Sequence, residues 1–132
     1  MRTANEQAQL TLEDGTVITA HKALVAVGRT PNTRELQAEQ MGCTLNKRGY
    51  VETDDYLEAA PNVFAVGDVN GRVLLAHAAE HQAVYVAERI LGQCSKKYQS
   101  GPVPSCVYGA VEVMRVGQTA ESLLREGKSV EV

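Results

Sequence analysis

The 132-residue chain lacks several things that would assign it quickly, and each absence narrows its class. No apolar run approaches the roughly 20 residues that cross a bilayer, so no membrane-spanning helix and no membrane partner is expected. The opening Met1-Arg2-Thr3-Ala4-Asn5-Glu6 has no apolar stretch of the secretory kind, which makes a cytoplasmic setting the expectation. There is no basic cluster, and the net charge is -3, which argues against a nucleic-acid partner. The three cysteines, Cys43, Cys94 and Cys106, are odd in number, far apart and form no C-x-x-C pair. They read as buried or incidental thiols rather than a redox pair or a metal site. No G-x-G-x-x-G occurs, so no dinucleotide pyrophosphate cradle of that type is present. Internal repeats and low-complexity segments are absent too.

What remains is a chain with 44% hydrophobic and 22% charged residues, the balance of one ordinary globular domain. Gln9 to Glu13 and Thr16 to Thr19 read as two strands, and the Asp14-Gly15 pair between them favours a type I′ turn. Ala23 to Val27 is apolar throughout and ends at Gly28, which predicts a strand buried on both faces. A loop follows from Gly28 to Thr33, with Pro31 biasing Thr30 toward extended geometry. Arg34 to Met41 reads as a short helix, capped by Asn32 or Thr33 and stopped by Gly42. Lys47-Arg48-Gly49 reads as a turn, Tyr50 to Thr53 and Val63 to Val66 as strands, and Asn70-Gly71 as another turn.

The longest predicted helix runs from Leu75 to Leu91. Ala76, Ala79, Ala83, Val86 and Ile90 recur at spacings of three and four and define its packing face. Gln93 to Gly101 reads as a linker. Strands are predicted at Cys106 to Tyr108, Val111 to Val116 and Ser129 to Val132, and Thr119 as the cap of a short helix ending at Gly127.

The most informative stretch is Thr53-Asp54-Asp55-Tyr56-Leu57-Glu58-Ala59-Ala60-Pro61-Asn62-Val63-Phe64-Ala65-Val66-Gly67-Asp68. An apolar strand stops there at a glycine followed by a carboxylate. In open α/β sheets, ligands bind beyond the carboxyl ends of strands. A glycine lets a ligand approach the backbone closely, and the acid accepts hydrogen bonds from sugar-like hydroxyls.

This stretch resembles the second FAD-binding motif of the flavoproteins with two dinucleotide-binding domains. Together with Leu74-Leu75-Ala76-His77-Ala78-Ala79 it resembles the pyridine nucleotide-disulfide oxidoreductases, and within them the dihydrolipoamide dehydrogenase branch. Leu24-Val25-Ala26-Val27-Gly28-Arg29-Thr30-Pro31-Asn32 is similar to the strand and loop that close the family's NAD-binding domain. The resemblance implies an α/β protein with a partial Rossmann-like FAD/NAD-binding fold. Residues 1–30 would finish the NAD-binding domain, 31–98 would form the second FAD-domain segment, and 99–132 would begin an α+β interface domain that makes a homodimer.

The same resemblance implies FAD and NAD as cofactors. Asp68 would bond the ribityl chain of FAD, and Leu75 and Ala76, at the start of a helix, would face the flavin's pyrimidine edge. Gly67 and His77 are their neighbours in the motif. Gly28 and Arg29 belong to the NAD side; Gly28 permits close backbone approach, and Arg29 is either a phosphate partner or an ordinary loop arginine.

The sequence departs from the family pattern in two places. Gly109-Ala110-Val111-Glu112 follows Tyr108 where Thr-x-Pro-Glu is usual. Gln82-Ala83 stands where His-x-x-x-x-Glu-Gly is common. Neither change is expected to touch Asp68 or Ala76. The family's redox disulfide, its pyrophosphate-binding glycines and its C-terminal acid/base pair are missing. The chain therefore reads as an internal piece of such an enzyme, without catalytic residues and inactive alone.

Two alternatives compete. His77-Ala78-Ala79-Glu80-His81 matches H-x-x-E-H, in which two histidines on one helix face bind zinc and the glutamate acts as a base. The other is a non-catalytic, self-associating piece whose unpaired sheet edges invite pairing with a second chain.

Overall fold

Asp14 and Gly15 do reverse the chain, but by a different turn from the one expected. In the computed structural model, which describes residues 2–4 and 7–131, β2 (Gln7–Thr11) pairs antiparallel with β3 (Val17–Ala20). β1 (Arg2–Ala4) pairs with β2 on its other side. Type I′ needs positive φ at both central residues. Here Gly15 has a φ of 85° and Asp14 is not among the positive-φ residues. Gly15 N–H instead donates to the Leu12 carbonyl, Leu12 N–H to that of Thr16, and the Asp14 carboxylate accepts from Thr16 N–H. The result is a wider turn with one left-handed glycine.

The strand expected over Ala23–Val27 is absent. This segment carries no ladder, and Leu24 and Val27 are 91% and 92% exposed. A strand buried on both faces needs pairing neighbours and a layer on each side. None of the described residues supplies them. The helix expected over Arg34–Met41 is also replaced, by two 3₁₀ turns, Arg34–Leu36 and Ala38–Met41. Gln37, at a φ of 49°, breaks the α ladder between them. Thr33 does not cap with its side chain; its hydroxyl donates to the Gly49 carbonyl. Gly42 ends the second turn at a φ of 82°, as expected for a left-handed stop.

The Thr53–Asp68 stretch folds by explicit local chemistry. The Asp54 carboxylate accepts from Tyr56 and Glu58 N–H groups, an Asx-type turn that throws Leu57 to a φ of 61°. Leu57 is fully buried there. β4 (Glu58–Ala60) then pairs antiparallel with β5 (Val63–Phe64), shorter than the strand expected to Val66. Pro61 and Asn62, the latter at a φ of 62°, close the connection, the chemistry of a type II turn. A predicted strand at Tyr50–Thr53 reduces to one bridge, Leu45 to Val51, around the Lys47-Arg48-Gly49 turn.

α1 spans Ala76–Ile90 with Leu75 and Leu91 as its end caps, close to the predicted bounds. Its packing face differs from the expected one. Ala78, Gln82 and Val86 are buried, whereas Ala76, Ala83 and Ile90 are exposed. A separate cluster of mostly small side chains forms the apolar core: Ala38, Cys43, Val51, Ala60 and Ala65, flanked by Leu45, Ala59, Val63 and Val69.

Beyond the linker, β6 (Ser105–Val107) pairs antiparallel with β7 (Val113–Arg115). α2 (Ala120–Arg125) starts from Thr119, whose hydroxyl accepts from Ser122 N–H while the Ser122 hydroxyl accepts from Thr119 N–H. No strand forms over Ser129–Glu131, and Val132, the end of the strand expected there, lies outside the described residues. The architecture is α/β in content, with three small antiparallel sheets among the described residues.

Candidate functional site

The end of β5 delivers the chain to a 3₁₀ turn, Gly67–Asn70, that carries Asp68. Gly67 sits at a φ of 76°, and a Cβ built on it would come 3.1 Å from the Ala79 Cβ. A glycine therefore lets this turn lie directly against α1. Gly71 ends the turn at a φ of 68°, where a Cβ would fall 2.6 Å from the Tyr50 ring, so only glycine fits. The Arg72 guanidinium then ties the turn to the start of the motif. Its Nε donates to Thr53 Oγ1 at 3.1 Å and one Nη to the Asp54 carbonyl at 2.6 Å.

Asp68 itself faces out. Its side chain is 54% exposed, and Oδ2 lies 3.0 Å from Arg29 Nη1. The second Nη of Arg29 donates to the Leu74 carbonyl at 2.9 Å. One guanidinium thus spans Asp68 and the residue two before α1. An ion pair this exposed adds little stability, typically below ~1 kcal/mol. Its effect is positional: the Asp68 carboxylate and the start of α1 are held on one surface. A cleft of about 160 Å³ lies between Arg29, Asn32, Tyr50, Asp68 and Leu74.

Leu75 precedes α1 with extended backbone and offers no side-chain cap, so the first N–H groups of the helix keep their donor capacity. Ala76 opens the helix and is exposed; Leu75 is half-buried. His77 is exposed and turned away from Asp68, with Nε2 2.9 Å from the Pro104 carbonyl. It lines a larger open groove of about 850 Å³ between the outer face of α1 and the linker, with His81, Tyr85, Lys96, Tyr98 and Pro104. Gly28 is exposed at a φ of 126°, with nothing within 4 Å of a built Cβ.

Arg29 thus joins Asp68 to the Leu74 carbonyl just ahead of Leu75 and Ala76, and Gly67 lies against Ala79, while the His77 side chain meets Pro104 and Gly28 has open space about it. It also shows a residue that sequence reasoning passed over. Gln82, treated as a remote departure, accepts from Gly67 N–H at 2.8 Å through Oε1 and so touches the turn that carries Asp68. The available signal was an amide in the middle of a helix otherwise rich in alanine.

Comparison with known proteins gives the context for this geometry. The chain matches the pyridine nucleotide-disulphide oxidoreductase family over residues 1–83, and it belongs to that family. It is similar to the dihydrolipoyl dehydrogenase of Vibrio cholerae, with 38% identity over 112 residues, covering 83% of this chain and 23% of the relative. The mitochondrial dihydrolipoyl dehydrogenase of Dictyostelium discoideum is 40% identical over 110 residues, covering 82% of this chain and 22% of that one.

Among solved structures, the Cu(II) complex of the HOCl-induced flavoprotein disulfide reductase RclA from Escherichia coli superposes with a TM-score of 0.83 at 28% identity. It covers 96% of this chain and 29% of that one. LpdA from Mycobacterium tuberculosis gives 0.79 at 26% identity, covering 89% and 26%. The chain spans about 23% of the length of the curated relatives. Its fold corresponds to part of the Rossmann-like α/β fold of FAD/NAD disulfide oxidoreductases.

The zinc alternative finds no support. The family and its relatives are oxidoreductases, His77 is engaged by Pro104, and no group of three or more potential ligands gathers among the described residues.

Proposed function

We propose that this chain supplies the flavin-facing carboxylate and helix start of an FAD- and NAD-dependent disulfide oxidoreductase of the dihydrolipoyl dehydrogenase kind. The observation that carries the reading is the Arg29 bridge, which sets the exposed Asp68 carboxylate beside the uncapped start of α1. Asp68 accepts hydrogen bonds from ribityl hydroxyls, while N–H groups at Leu75, Ala76 and His77 meet the electron-rich edge of the ring, where the positive end of the helix dipole favours negative charge. Bound flavin supplies the electron carrier between a disulfide and a nicotinamide. Gly67 keeps the turn close to α1 and leaves the approach to Asp68 open. Gly28 belongs to the nicotinamide side, and Arg29 joins that loop to the flavin side.

In the parent protein, residues 1–30 complete the NAD-binding domain, 31–98 form the second FAD-domain segment, and 99–132 open the interface domain of a cytoplasmic homodimer. The 132 residues hold neither a C-x-x-x-x-C pair nor a G-x-G-x-x-G turn. The pure chain is therefore expected to show no NADH-dependent turnover and at most weak FAD binding. Fluorescence titration of FAD, run beside Asp68→Ala, tests the reading. Weak saturable quenching that the substitution diminishes supports it. Quenching unaffected by the substitution, or turnover by the pure chain, overturns it.

A further inference from the structure

Among the described residues, Gln82 is the most deeply buried polar side chain, at 1% exposure. A buried amide is costly unless its hydrogen bonds are made. The Gln82 Oε1 accepts from Gly67 N–H at 2.8 Å and from Asn70 Nδ2 at 2.7 Å. Asn70 also donates to the Ala65 carbonyl at 2.9 Å, and its Oδ1 accepts from Arg72 N–H at 3.0 Å. One oxygen on α1 therefore grips both the first and the last residue of the Gly67–Asn70 turn.

We propose that Gln82 is the positioning residue of the flavin-side half-site, fixing where Asp68 stands by clamping its turn at both ends. The inference rests on the reading of that turn as the flavin side. A glutamine suits the task because one neutral oxygen accepts from both neighbours without a buried charge. An ionised glutamate offers acceptors alone. The clamp acts on backbone and on Asn70, never on the cofactor itself.

Amide NMR on the full chain, with Gln82→Leu and Gln82→Glu beside it, tests the proposal. Acceptor strength at the position rises from leucine through the amide to the carboxylate, and the Gly67 amide proton is expected to move downfield in that order. Loss of this bond should lower Gly67 exchange protection in Gln82→Leu by about tenfold relative to Val86 in the same helix, with protection kept in Gln82→Glu. FAD titration of the same proteins should show affinity about tenfold weaker for Gln82→Leu and recovered for Gln82→Glu.

A Gly67 proton that holds its position across the three proteins overturns the proposal. If Gln82→Leu does not fold, Gln82→Glu decides: a downfield move supports the clamp, and no move overturns it. A responsive Gly67 with equal FAD affinity in all three proteins keeps the clamp and overturns only its link to the flavin side.

Discussion

The segment from 31 to 98 and the segments on either side of it are built from similar residues and end in opposite states. Every buried residue described, from Thr33 to Val86, belongs to the central segment. The flanks hold apolar side chains in plenty, yet Leu24 and Val27 are 91% and 92% exposed, and Tyr108 is 83% exposed. Apolar content alone does not make a core. The centre adds ties between residues far apart in the chain: Thr33 to Gly49, Gln82 to Gly67, and Arg72 to Thr53 and Asp54. The flanks have hairpins and a well-capped α2, but these are local devices that close on themselves.

The largest effect that sharpens this contrast is expected at Leu57. Truncation of a fully buried leucine costs about 2–5 kcal/mol, so Leu57→Ala should take most of the stability of the central segment. Urea unfolding followed by circular dichroism measures it; a loss below ~1 kcal/mol would mean the centre is no better packed than its flanks.

A smaller effect is expected where the linker meets the centre. Lys97 Nζ lies 2.7 Å from Asp55 Oδ2, with both side chains well exposed. The hydrogen bond from Lys97, and then its charge, hold the Asp55 carboxyl below its ordinary 3.8, while Asp55 raises Lys97 above 10.5. The pair's contribution is fully present above 3.8 and below 10.5. It fades as pH falls through the lowered Asp55 value or rises through the raised Lys97 value. Lys97→Met should therefore shift the urea midpoint slightly at neutral pH, and not at all in strong acid or in high salt. A shift that survives both conditions would point to packing of the lysine stem instead.

The smallest effect is expected at Val27. Val27→Ser in the exposed segment should change stability by no more than about 0.5 kcal/mol in the same unfolding measurement. A larger loss would show that this segment is covered in solution, and analytical ultracentrifugation would then reveal whether a second copy covers it.

These contrasts also explain what could be read from residues alone. The bounds of α1 were legible because its start, its helical periodicity and Gly92 agree. Its inner face was not. Alanines at 76, 78, 79, 83 and 87 fit a buried or an exposed position equally, and the decisive residue, Gln82, is polar. The turn at Gly67-Asp68 was legible because the apolar run from Val63 stops at a glycine. Arg29 beside Asp68 was not, because a contact across 39 positions leaves no local pattern. Ala23–Val27 misled for a related reason: β-propensity is written in the residues, whereas a pairing partner is not.

The bare start of α1 sets a limit on how this protein can be improved. A serine or aspartate in place of Leu75 would give the helix an oxygen of its own and, by ordinary capping energetics, about 1 kcal/mol of extra stability. The same oxygen would occupy N–H groups that the proposed site needs open. Stability and ligand capacity draw on one small set of donors here, so a selection for thermal robustness alone would be expected to close this end of the helix.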